Sequence, residues 1–142
     1  MGTKIFLDTN IIVDYFDKTR ANHEDAKEII TSIEKRVLEG FVSESVINTS
    51  VYLLQKGFSF SDLRDNMDEL VSMLFVLPCT NNTIRQAYRL PTTDLEDAVL
   101  YQLAFENNVD YFITSDKKDF KKLSSILLPV ITAKELVKIM TK

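Results

Sequence analysis

The sequence predicts an α/β fold: one three-layer domain over residues 1–142, with a central, mostly parallel five-stranded sheet flanked by helices. Three observations predict it. Short uninterrupted apolar runs, such as Ile5-Phe6-Leu7 and Tyr111-Phe112-Ile113, suit strands buried on both faces of a parallel sheet. Segments with apolar residues at helical spacing stand between those runs, so strands and helices alternate. Polar groups that favour helix starts and turns follow the runs at once, as in Asp8-Thr9-Asn10, Ser43-Glu44-Ser45 and Thr114-Ser115-Asp116.

The elements follow in order. After Ile5–Leu7, residues Ile11, Ile12, Val13, Tyr15 and Phe16 continue as a short helix. Ala21–Leu38 carries Ala26, Ile29, Ile30, Ile33 and Val37 at helical spacing, with Asn22 as its cap and Gly40 as its stop. Phe41-Val42 is a second strand. Val46–Lys56 is a helix with Val46, Ile47, Val51, Leu53 and Leu54 inward, closed by Gly57. Ser59 or Ser61 starts Asp62–Met73, and Leu74–Leu77 is a third strand ended by Pro78. Thr80–Arg89 is helical, Pro91-Thr92-Thr93 turns, and Asp94-Leu95-Glu96-Asp97 opens a helix through about Glu106. Tyr111–Ile113 is the fourth strand, Lys117–Leu123 a helical turn, and Leu127–Ile131 contains the fifth strand. Thr132-x-x-Glu135 is a capping box for Ala133–Met140.

Composition bounds the function. A chain of 142 residues, 45% hydrophobic and 27% charged, builds one core without staples. Cys79 is the single cysteine, which excludes an intrachain disulfide and a cysteine-cluster zinc site. No apolar run approaches the ~20 residues of a membrane helix, and no signal-peptide pattern opens the chain, so a cytoplasmic location and no membrane partner are expected. A net charge of −4 argues against coating nucleic acid by bulk electrostatics, while leaving room for an enzyme that brings a phosphodiester to a metal ion.

Three acids stand at comparable places: Asp8 after the first strand, Asp97 in the first turn of a helix, and Asp116 after the fourth strand. Each taken alone suits a helix cap. A parallel sheet, however, brings strand ends of one kind to one edge, so the three can converge. Carboxylates ~5 Å apart repel by about 3 kcal/mol per pair at an effective dielectric of ~20. A cluster of three therefore calls either for a divalent cation or for protons held at raised pKa. All-oxygen ligands favour Mg²⁺ or Mn²⁺ over zinc.

The stretches IFLDTNIIVDYF and DLEDAVLYQLAFENNVDYFITSDKKDF resemble the first and last motifs of PIN domains, metal-dependent ribonucleases that include the VapC-group toxins of bacterial toxin–antitoxin pairs. The order of elements agrees from end to end. The resemblance implies that Asp8, Asp97 and Asp116 hold one or two Mg²⁺ or Mn²⁺ ions. Asn10, with Ser115 or Thr9, would orient those acids and the bound water. Asp94, one helical turn before Asp97, faces the same cleft on this view, and Asp119 either contributes or caps its turn. It further implies an RNA substrate, an antitoxin protein that clasps the cleft, and a homodimer.

One position departs from the family pattern. Some six residues beyond Ser43 the family usually places a Glu; here the residue is Thr49, flanked by Asn48 and Ser50. Thr49 can hydrogen-bond a metal-bound water but adds no charge, so a weaker metal site is expected. Glu44 is near in sequence but precedes the helix. Lys117, Lys118, Lys121 and Lys122 surround Asp116 and Asp119, either as guides for an RNA backbone or as a solvated face. His23, the one histidine, is expected to be exposed and no general base. The apolar band of Phe58, Phe60, Leu63, Met67, Leu70, Met73 and Leu74 is either core or a partner surface. Two rivals stand beside the ribonuclease: a PIN-like domain without catalysis that binds RNA or protein, and an aspartyl-phosphate domain with Asp8 as acceptor and Lys134 as the late lysine.

Overall fold

A computed structural model describes residues 2–125 and 127–141. Five strands, β1 (Thr3–Leu7), β2 (Leu38–Ser43), β3 (Leu74–Leu77), β4 (Tyr111–Ile113) and β5 (Val130–Ile131), form one sheet in the order β3-β2-β1-β4-β5. Every pairing is parallel, so the expected sheet is found without an antiparallel member. The helices are α1 (Thr9–Phe16), α2 (His23–Glu34), α3 (Glu44–Leu54), α4 (Phe60–Ser72), α5 (Asn81–Ala87), α6 (Leu95–Glu106) and α7 (Ala133–Met140), with a 3-10 turn at Lys117–Phe120.

The chain winds from β1 outward to β3, then returns to β4 and continues to β5. Because parallel crossovers are right-handed, this reversal puts the helices before and after it on opposite faces. It also makes the β1–β4 seam the place where the loops after neighbouring strands part. Such a seam opens a crevice at the carboxyl ends of the strands. The core is built around the same seam. Ile5, Phe6 and Leu7 are fully buried, and Phe6 stacks on Phe112 at 5.2 Å between ring centroids. Phe112 also meets Phe120 at 4.6 Å and Tyr101 at 5.9 Å, which ties the 3-10 turn and α6 to the sheet.

Three local expectations change. Helix α2 ends at Glu34, short of the expected Leu38, and Gly40 does not stop it. Arg36 takes the left-handed conformation instead, with φ of 63°. The Val37 N–H bonds the Ser32 carbonyl at 2.9 Å and the Arg36 N–H bonds that of Ile33 at 3.0 Å, which closes the helix as a Schellman motif. Gly40 lies within β2 for a packing reason: a Cβ there would come within 2.6 Å of Ile33 Cδ1 and 2.7 Å of Leu74 Cδ2. Asn22 makes no side-chain cap bond. Leu53, expected inward, is exposed. Of the apolar band, Leu63, Met67 and Leu70 are core, whereas Phe60 is 79% exposed. The capping box of α7 is present, with Thr132 and Glu135 bonding each other's backbone N–H.

Candidate active site

Parallel pairing of β1 with β4 sets Leu7 opposite Ile113, so the next residues, Asp8 and Thr114, are neighbours at the strand ends. The Asp8 N–H extends the ladder by bonding the Ile113 carbonyl at 3.0 Å. Asp8 is only 8% exposed and caps α1, accepting the Thr9 N–H at 2.8 Å. Its other oxygen accepts the Thr114 hydroxyl at 2.8 Å and lies 3.4 Å from Asn10 Nδ2.

Thr114 is the hub. Fully buried, its hydroxyl donates to Asp8 and accepts from Asn10 Nδ2 at 3.2 Å and from the Asp116 N–H at 3.1 Å. One O–H and two lone pairs are thereby all used. Asn10 closes the ring by accepting the Ser115 N–H at 3.0 Å. Thr114, which the motif reading did not single out, supplies the hydroxyl that orients Asp8. Ser115 serves through its backbone and Thr9 through its N–H to Asp8. The clue in the sequence was registry: Thr114 follows β4 as Asp8 follows β1.

Replacing Thr114 with Val keeps the shape but leaves the buried Asp8 carboxylate short of a donor and the Asn10 amide and Asp116 N–H short of an acceptor. The variant is expected to lose about 1–3 kcal/mol in urea melts, and Thr114→Ser should recover most of that loss. A loss in Thr114→Ser with none in Thr114→Val would assign the effect to the methyl group and not to the hydroxyl.

Asp97 sits half-buried in the first turn of α6, and its N–H is capped by Asp94 at 3.1 Å. Burial first, then the charges of Asp94, Asp8 and Asp119, push its carboxyl up to about 7. Burial likewise raises Asp8, opposed by the Thr114 and Thr9 bonds and reinforced by Glu96 and Asp116. Asp119 is raised chiefly by its hydrogen bond with Asp116. These couplings put Asp8, Asp94, Asp97, Asp116 and Asp119 in one electrostatic neighbourhood. Glu96, not anticipated as a neighbour of Asp8, joins them. Among the described residues no three His, Cys, Asp or Glu side chains converge as a closed metal-ligand group. The acids fit a hard divalent cation by donor type and by unbalanced charge, but they do not stand closed on a common point.

The raised Asp97 has a definite pH sign. Its folded pKa of about 7 lies above the ordinary 3.8, so the folded chain keeps a proton that the unfolded chain has shed. The stabilisation is full below pH 3.8 and is lost as pH rises through 7. In EDTA, the protein is expected to melt lower at pH 8 than at pH 6. Asp97→Asn should shrink that difference and gain roughly 1 kcal/mol at pH 8 after allowance for solvent screening, about 2–4 °C. Parallel melting-versus-pH curves for the two proteins would contradict the assignment.

At the end of β2, on the same sheet edge, Ser43 is buried and caps α3 through the Val46 N–H at 3.1 Å, its hydroxyl also 2.8 Å from that of Ser45. Thr49 is half-buried in the second turn of α3; Glu44, expected to precede that helix, is instead its exposed first residue, because Ser43 caps it one residue earlier. His23 differs from expectation: it is half-buried, with Nδ1 2.8 Å from the Asp14 carbonyl oxygen. Lys117 Nζ donates to both Glu135 oxygens, at 3.0 and 3.1 Å, so it stands apart from the other three lysines. Among the described residues, no helix is long and apolar enough to cross a membrane.

A parallel α/β sheet with buried and half-buried acids gathered at its switch point defines the class: an open parallel α/β domain with an acidic crevice at its strand ends. Comparison with known proteins makes the family specific. The PIN-domain family model matches residues 4–118, and the chain belongs to that family. Ribonuclease VapC1 of Aquifex aeolicus is 30% identical over 119 residues, spanning 80% of this chain and 82% of the relative. VapBC2 of Rickettsia felis, solved bound to a DNA fragment from its promoter, superposes with a TM-score of 0.67 at 17% identity, over 92% of this chain and 98% of the other. VapC20 of Mycobacterium tuberculosis, described as a sarcin-ricin loop cleaving toxin, gives 0.61 at 17% identity, over 76% and 86%.

Proposed function

We propose that this protein is a metal-dependent endoribonuclease, the toxin of a type II toxin–antitoxin pair. The observation that carries the proposal is the ring through Thr114 that fixes Asp8, Asn10 and the Asp116 backbone beside the raised Asp97. Family membership and the relative named a ribonuclease support the same reading. Asp8, Asp97 and Asp116 are the residues that would hold Mg²⁺ or Mn²⁺, in one or two ions. Such an ion supplies an activated water and stabilises charge on the phosphorus oxygens.

The chain's own residues do the rest. Thr114 and the Thr9 N–H hold the Asp8 carboxylate in one orientation. Asn10 ties α1 to the loop after β4, so Asp8 and the Asp116 backbone are joined through one hydrogen-bond network. Asp94 caps the first turn of α6 and holds Asp97 near the seam. The proton that Asp97 keeps near neutrality must leave before it binds a cation. Mn²⁺ is therefore expected to raise the melting temperature more at pH 8 than at pH 5.5. Purified protein should cleave single-stranded RNA with Mn²⁺ or Mg²⁺ and stop in EDTA. Cleavage that persists undiminished in EDTA would reject metal dependence, and none in either metal would reject the nuclease.

The antitoxin partner and a homodimer belong to this proposal; a neighbouring structure that carries both VapB and VapC names supports the former. Thr49 favours one other reading, a PIN-like domain that binds RNA or protein without cleaving. Calorimetry separates the two: no heat with millimolar Mn²⁺ would favour the non-catalytic domain.

A further inference from the structure

The six residues Lys117–Lys122 hold four of the chain's 17 Lys and Arg residues, beside a site made of acids. The fold sorts them. Phe120 and Leu123 are buried and pin the segment to the sheet, while Lys118, Lys121 and Lys122 are exposed. Lys117 is already bonded to Glu135 on α7. The other three line one cavity of about 370 Å³, together with Thr92, Thr93, Asp94 and Asp119. Among the described residues none of these three lysines lies within 4.0 Å of a carboxylate.

The cavity is contiguous with the acid cluster. Asp94 caps the helix that carries Asp97, and the Asp119 N–H bonds the Asp116 carbonyl at 3.2 Å, so the two acids form the wall shared by cavity and cluster. Three ammonium groups face two carboxylates there, a local excess of positive charge on a chain whose net charge is −4. An anion entering the cavity is drawn to the lysine side and held off the acidic wall.

We propose that this cavity is a subsite for an RNA backbone phosphate flanking the one presented to Asp8, Asp97 and Asp116; the assignment rests on the nuclease reading of that site. Lys118, Lys121 and Lys122 supply point charges, and the Thr93 hydroxyl is a neighbouring donor. Contacts of this kind position a strand without reading its bases. The subsite therefore fixes the strand's path past the acids and leaves sequence choice to other residues. It also resolves how an acidic chain engages a polyanion: the positive charge is concentrated where the strand must pass.

The test uses a fluorescein-labelled single-stranded RNA of about a dozen nucleotides and the full-length Asp8→Asn protein, titrated by anisotropy across a range of salt. The triple variant Lys118→Gln/Lys121→Gln/Lys122→Gln, built in the same background, should weaken binding about tenfold or more. It should also flatten the slope of log Kd against log salt by about two. A charge-matched control, Lys27→Gln/Lys35→Gln/Lys138→Gln on α2, its C-cap and α7, should shift Kd by less than about threefold. Equal weakening by both triples, no weakening by the first, or no salt-dependent binding at all would overturn the subsite. Cleavage assays of the lysine triple with Asp8 intact separate the two claims. A cleaving wild type matched by a lysine triple of unchanged KM overturns the subsite alone. Lysine-dependent binding without cleavage in Mn²⁺ or Mg²⁺ overturns the nuclease and leaves the cavity as an RNA-binding site.

Discussion

Asp8→Asn is expected to lower RNA cleavage by about a thousandfold or more, roughly 4 kcal/mol of barrier, while the protein stays folded. The substitution keeps the size of the side chain and removes its charge. In the folded protein that charge sits 8% exposed, raised by burial and by the charges of Glu96 and Asp116. Removing it relieves repulsion, whereas the amide cannot accept from Thr9, Thr114 and Asn10 together as the carboxylate does. The two effects offset, so stability should stay within about 1 kcal/mol of wild type. A gel assay with labelled RNA and a melting curve measure the two halves. Full activity in the variant would remove Asp8 from the chemistry; a collapsed fold would reassign it to structure.

Phe112→Ala is expected to cost about 3–5 kcal/mol, the usual toll of emptying a large aromatic site in a core. For a chain of this size that lowers the melting temperature by roughly 10–15 °C. Phe112 is fully buried on the central seam and touches Phe6, Phe120 and Tyr101, residues from β1, the 3-10 turn and α6. No single neighbour can relax to fill the space, because each is held by a different element. Tyr101 is further tied by its hydroxyl, which donates to the Leu128 carbonyl at 2.7 Å. The loss should also reach the site, since Phe120 anchors the turn that follows Asp116. Chemical denaturation gives the number, and a loss under about 1 kcal/mol would mean that this cluster is not the core of the domain.

The departure at Thr49 acts on a different quantity. On the proposed metal-dependent reading, weaker cation binding there would change how much metal is needed, not where the acids stand. Activity that saturates only at high Mn²⁺ would trace to this position, and Thr49→Glu should then lower the requirement.

Much of the fold was legible because its signals are local. Apolar runs of two to five residues marked the strands. Ser59, Asp94 and Thr132 each cap the helix whose start they marked in the sequence. Asp8 and Asp116 drew notice because a parallel sheet must put its strand ends on one edge, and Asp97 because it stands in the first turn of α6; that they serve together as ligands belongs to the proposal. The end of α2 was misjudged because a Schellman stop with Arg at the left-handed position leaves no glycine to see. Gly40 was misassigned because its need for space comes from Ile33 and Leu74, one of them 34 residues away along the chain.

The sequence by itself determined the class of fold, the order of its elements, and the acids brought to the strand ends from Lys4–Tyr15 onward. Those follow from periodicity, capping chemistry and charge, all of which act within a few residues. Only the tertiary structure decided that β1 lies beside β4. That neighbourhood joins Asp8 and Asn10 to Thr114 and Ser115 across 104 to 106 residues, and makes a buried threonine the hub of the acidic site. It also decided which lysine is spent on Glu135 and which three line a cavity. Such partners are chosen by strand adjacency and by ion pairs between distant segments, and no local pattern encodes either.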